Sequence, residues 1–160
     1  MNKIQLLAVS ALLSLTACGG GDDPKALSDA GFKKLGTGDY TGAQDDLQAA
    51  LTAMDDTSSA QYHEVKMGLL EATAYSDVEK AQTEFDAYAA ASDAVTSDDY
   101  ARFASALIDA GDAIAALSVA DAGLRANPEN AKLTGVMEQL KLKASSDSGL
   151  ASGLESLGYL

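Results

Sequence analysis

Small and apolar residues recur along this chain at helical spacing, and the spacing itself repeats. Positions 40, 43, 47, 50 and 51 share one face of a 3.6-residue period, as do 78, 81, 85, 88 and 89, and again 113, 116, 120, 123 and 124. The three sets keep one register. Asp39, Ala43, Leu47, Ala50 and Leu51 correspond to Asp77, Ala81, Phe85, Tyr88 and Ala89, then to Asp112, Ala116, Ala120, Gly123 and Leu124, at offsets of 38 and 35 residues. Each set follows a second stripe: Leu27, Ala30, Gly31 and Leu35; then Val65, Leu69 and Ala72; then Tyr100, Phe103, Ala104, Leu107 and Ile108. The pattern predicts three helical pairs, over residues 24–57, 58–95 and 96–128.

Local signals mark where these helices start and stop. Asp23-Pro24 and Asn127-Pro128 each set a capping residue before a proline suited to a first helical position. Ser58 to Gln61 reads as a capping box. Gly38 and Gly111 fall between paired helices, where a left-handed residue costs little only if it is glycine. Residues 129–144 predict a seventh helix that closes the array, with Leu133, Val136, Met137 and Leu140 inward and Lys132, Glu138, Lys141 and Lys143 outward. In the tail, residues 145–160, Leu150, Leu154, Leu157 and Leu160 form a stripe that Gly149, Gly153 and Gly158 weaken. Such a helix forms when docked, either on this chain's own array or on a partner.

A helix–turn–helix unit of about 34 residues with these small residues resembles the tetratricopeptide repeat. The first unit carries Gly31, Gly38-Asp39-Tyr40, Ala43, Leu47 and Ala50, with Asp55 where proline is usual. The third carries Ala104, Gly111-Asp112, Ala116, Ala120, Gly123 and Pro128. The second departs, with Ser76 in place of the turn glycine and Tyr88 in place of a small residue. The resemblance spans about residues 24–128 and implies an all-α fold: a short right-handed α-solenoid of about three hairpins with a C-terminal capping helix. Stacked pairs share a continuous core because one pair cannot bury its own apolar face.

In that family the first helix of each pair lines a concave face that holds peptides. The resemblance places Lys25, Phe32, Leu35, His63, Lys66, Leu70 and Ile108 there, beside Ser105 and Asp109. Phe32 and Leu70 either line this groove or pack against neighbouring helices or the tail. The asparagine of the carboxylate clamp used by chaperone-binding relatives is absent from these places, which argues against that activity.

Charge and the N-terminus add an address. The chain has 24 acidic and 11 basic residues, a formal net charge of −13, which argues against electrostatic binding of nucleic acid. Residues 1–17 hold one cation, Lys3, and then an apolar run too short to span a bilayer, the pattern of a secretory signal. Leu15, Thr16 and Ala17 before Cys18 resemble the lipobox of bacterial lipoproteins. The resemblance implies cleavage before Cys18, diacylglycerol on its sulfur and an N-acyl chain on its amine, with residues 18–23 as a tether. By resemblance to the sorting of such lipoproteins, Gly19 rather than Asp after the cysteine implies the outer membrane, facing the periplasm. Two or more acyl chains make a stable membrane anchor.

The inventory for catalysis is thin. Cys18 is the only cysteine and His63 the only histidine, so neither a disulfide nor a multi-histidine metal site can form within the chain. The acid pairs, among them Asp45-Asp46 and Asp98-Asp99, lack EF-hand spacing. The expectation is a non-enzymatic, lipid-anchored interaction scaffold of the bacterial envelope, without cofactor, that binds a peptide or an envelope protein. The alternatives are a spacer lipoprotein with a self-filled groove or a carrier of a small ligand. Substituting Cys18→Ser should abolish lipid labelling and leave the precursor uncleaved by signal peptidase II; normal labelling of that variant would refute the anchor.

Overall fold

The computed structural model describes residues 23–160, so the signal segment, the Leu15–Cys18 tetrad and most of the tether lie outside the described residues. The described chain is all-helical: α1 (Pro24–Gly36), α2 (Tyr40–Ala53), α3 (Ala60–Ala74), α4 (Val78–Ala91), α5 (Ser97–Asp109), α6 (Ala113–Ala126), α7 (Ala131–Ala144) and α8 (Ser148–Leu157).

The recurring aspartate is a helix cap. Asp39, Asp77, Asp112 and Asp147 start α2, α4, α6 and α8, and their carboxylates accept from the backbone N–H groups of Gly42, Lys80, Ala115 and Leu150 at 2.8–3.0 Å. Each satisfies a donor that the helix itself leaves free and is worth about 1 kcal/mol. Asp23 caps α1 in front of Pro24. Gly38 and Gly111 adopt φ of 81° and 95°, as a left-handed turn requires.

Two start signals belong elsewhere. Asn127-Pro128 does not open a helix. Asn127 ends α6, and the N–H of Asn130 donates to the Asn127 carbonyl at 3.2 Å, closing a turn with Pro128 at its second position. Asn130 then caps α7 through the N–H groups of Lys132 and Leu133, both at 3.0 Å. At α3 the cap is Ser59, while Ser58 bonds to Asp56. The reciprocal box occurs at α5, where the Asp99 carboxylate accepts from the Thr96 N–H at 2.8 Å and its hydroxyl at 2.7 Å.

Helices packing on their successors form pairs, and the odd-numbered helices also pack side by side, α1 on α3, α3 on α5 and α5 on α7. Glycines set the close approaches: a Cβ on Gly31 would sit 2.6 Å from Leu47, and one on Gly68 would sit 2.4 Å from the Phe32 ring. Where Tyr88 replaces the small residue, α4 meets α5 through rings. Phe85 stacks on Phe103 at 4.4 Å and meets Tyr100 edge-on at 5.0 Å.

At the C-terminal end the expected cap is itself covered, and the tail helix docks on this chain's own helices, one of its two expected courses. The inward set Leu133, Val136, Met137 and Leu140 is buried as the pattern predicts. However, α8 pairs with α7 and packs on α6, with Leu150 and Leu154 fully buried, so α7 does not close the array. The Tyr159 hydroxyl donates to Asp121 at 3.0 Å and fixes the chain end to α6. Leu157, at the end of α8, and Leu160, beyond it, remain exposed.

Close approach and helix propensity can be separated by two glycines. Gly31→Ala should lower stability by about 1–3 kcal/mol by forcing Leu47 aside. Gly135→Ala, in the interior of α7 with nothing within 4 Å, should raise it by about 0.5–1 kcal/mol. Denaturant titrations of both variants check the contrast.

Candidate functional site

The side-by-side odd-numbered helices are tied by charged side chains. Arg102 on α5 reaches back to α3, with Nη1 2.9 and 2.8 Å from the two oxygens of Glu64 and Nε against Glu71 Oε1. Glu64 and Glu71 lie seven residues apart, two helical turns, so one guanidinium can engage both. From α5 to α7 the tie is Asp98, which accepts from Lys132 Nζ at 2.7 Å and Asn130 Nδ2 at 2.8 Å. These donors hold the Asp98 carboxyl below its usual range, Lys132 first.

Burial is the main influence on Glu71 and pushes its pKa up, with Arg102 opposing. Burial also works against the Arg102 charge, yet Glu64 and Glu71 together hold its pKa above the ordinary value. The partners thus shift in ways that favour the arginine's charge and disfavour the glutamate's. Burial is the first reason for Glu71, and the count of charges adds to it: one cation sees two anions, while Glu71 sees one cation and the carboxylates of Glu64 and Asp99.

A second tie joins three helices. His63 Nε2 lies 3.2 Å from Asp99 Oδ1, and Nδ1 lies 2.9 Å from the Tyr88 hydroxyl. The carboxylate can only accept, so Nε2 donates to it, and the Tyr88 hydroxyl pairs with Nδ1. The other Asp99 oxygen is occupied by Thr96, so this chain of groups holds α3, α4 and α5 in place.

Two cavities open along the odd-numbered helices on either side of Arg102. One, of about 490 Å³, lies between α5 and α7 and is bounded by Asp98, Asp99, Arg102, Lys132 and Val136. The other, of about 270 Å³, lies between α1, α3 and α5 and is bounded by Leu35, Tyr40, Glu71, Tyr75, Arg102 and Asp109. Ser105 borders both. Tyr40 and Tyr75 stack with centroids 3.8 Å apart and planes within 4°. Burial, then the neighbouring Tyr40 and Asp109, push the Tyr75 hydroxyl up to about 12. Among the described residues no group of three or more His, Cys, Asp and Glu side chains converges as a metal site would require.

The groove residues expected from the sequence are not gathered into one apolar channel. Leu70 is fully buried and Ile108 nearly so, both in the core. The reason is that α3 is covered on two sides, so its consecutive Leu69 and Leu70 both face neighbouring helices. Phe32 is half-buried over Gly68, and Leu35 borders the smaller cavity. Lys25 is exposed and pairs with Asp29 on its own helix, His63 is bound as described, and Lys66 pairs with Glu84 on α4 at 3.3 Å. Arg102, Glu64, Glu71, Tyr40 and Tyr75 were not expected at the site. The seven-residue spacing of Glu64 and Glu71 was the available signal, but their partner lies 38 and 31 residues downstream and only packing brings it near.

Comparison with family models, curated proteins and solved structures finds no match to this chain. No described helix is long and apolar enough to cross a membrane.

The Arg102 tie has a pH signature. Replacing Arg102→Met leaves Glu71 buried without its cation and should destabilise by about 1–3 kcal/mol. A carboxylate with a raised native pKa opposes folding once ionised, and the opposition fades as pH falls and it takes up its proton. The deficit of the variant should therefore be larger near pH ~8 than near pH ~5 in paired denaturation curves.

Proposed function

We propose that this protein is a lipid-anchored scaffold of the bacterial envelope, exported and held at the outer membrane facing the periplasm through acyl chains on Cys18. The helices form a short right-handed solenoid of tetratricopeptide-like pairs, four rather than three once α7 and α8 are counted together. A partner protein or peptide is held on the face made by α1, α3, α5 and α7, and no catalytic step or cofactor is assigned. The observation that carries this reading is the side-by-side packing of the odd-numbered helices, with two cavities along them, at Ser105.

The self-filled spacer is less well supported, because α8 packs on α6 and α7 rather than over those cavities. The larger cavity has the volume of a small-molecule site, but charged groups dominate its border where such sites are mainly apolar.

The test is cross-linking in intact cells followed by purification of the full chain. The native protein should retain a defined envelope partner, and Ser105→Arg, which places a long cation between the two cavities, should lose it without loss of folding. Equal recovery of that partner from the variant would place the contact elsewhere and overturn the assignment of this face.

A further inference from the structure

The smaller cavity is built where three helices end. Leu35 comes from the last turn of α1, Glu71 from the last turn of α3, Tyr75 from its C-cap, and Asp109 is the final residue of α5. A helix C-terminus carries the negative end of the macrodipole and ordinarily attracts Lys or Arg into its last turn. Neither α3 nor α5 has a basic residue there, and each brings an acid to the cavity instead. In α1, Lys34 is turned away to Asp46 at 2.7 Å.

The cation present in the cavity is already committed. Arg102 is shared between Glu64 and Glu71, while Asp109 is exposed and makes no ion pair among the described residues. The two tyrosines border the same space; stacked on each other, they leave only their outer faces and edges to a cation. At about 270 Å³ the cavity is smaller than the ~300–1,000 Å³ typical of small-molecule sites and suits a single long side chain. The net charge of −13 would draw a basic segment toward the molecule.

We propose that this cavity receives the guanidinium or ammonium group of a basic segment of a partner protein, with Asp109 as the pairing carboxylate and Tyr40 and Tyr75 beside it. The proposal rests on the reading of this face as the partner surface and names the chemistry that the partner brings.

The test is titration of the full chain with a fluorescent tetra-arginine peptide, with tetra-glutamate as a control, followed by anisotropy. An acidic protein attracts arginine peptides in any case, so the decisive comparison is between two variants that each remove one negative charge. Asp109→Asn should weaken binding by about 5–10-fold. Asp45→Asn, at an exposed position on α2, should change it less than about twofold.

Equal weakening in both variants, or no binding by the native chain, would overturn the subsite. Binding of free arginine amide as tight as the peptide, with the same dependence on Asp109, would make the ligand a small cation and overturn the partner-segment claim. If the two variants behave alike while Ser105→Arg still loses its cross-linked partner, the cationic subsite fails and the partner surface stands. If Ser105→Arg keeps that partner, the surface itself fails, whatever the peptide does.

Discussion

Val65, Leu69 and Ala72 on one side of α3, and Met67, Leu70 and Ala74 on the other, are all buried, so this one helix belongs to two core clusters at once. The first cluster holds α1 and α2, and the second runs from α3 to α8. Neither half could cover its apolar surface without α3 between them. Gly68 makes the sandwich possible by admitting the Phe32 ring where any side chain would collide. The polar features of the odd-numbered helices follow from that placement. With two sides of α3 given to packing, Glu64 and Glu71 are left toward α5, and Arg102 meets them there.

That arrangement places some of the ion pairs between helices. The ties from α3 to α5 and from α5 to α7 use pairs whose members come from different helices, Arg102 with Glu64 and Glu71, and Asp98 with Lys132. Pairs on the open surface, such as Lys25 with Asp29, contribute little because water screens them. The partly covered tie of Arg102 to Glu71 matters more for register than for net stability, since each charge gives up hydration to join its partner. The ties also leave the two cavities on either side of Arg102 with defined walls.

Much of the fold could be read from the chain in advance. The shared register of Asp39, Asp77 and Asp112 was legible, and the structure makes each the N-cap of α2, α4 and α6, a role that acts within its own helix turn. Asp147 continues the same 35-residue step, but the glycines around it weaken α8 locally, so the sequence left open whether α8 docks on this chain or on a partner. Its stability comes from burying Leu150 and Leu154 against α6 and α7, a gain that local propensity does not contain. Tyr88 was the other departure. The helix stripe survives there, and the ring is accommodated by spacing α4 from α5 and by the bond to His63.

The sequence by itself determined the all-helical class, the period, the Asp23–Pro24 start and the glycine turns, because each of these depends on residues within a few positions of one another. Only the tertiary structure decided that Leu70 and Ile108 belong to the core and that Leu35, Tyr40, Tyr75 and Asp109 border one cavity. Those facts depend on which helix lies beside which. Neighbours across helices are set by the sum of many small packing terms over the whole array, and no short stretch of the chain encodes that sum.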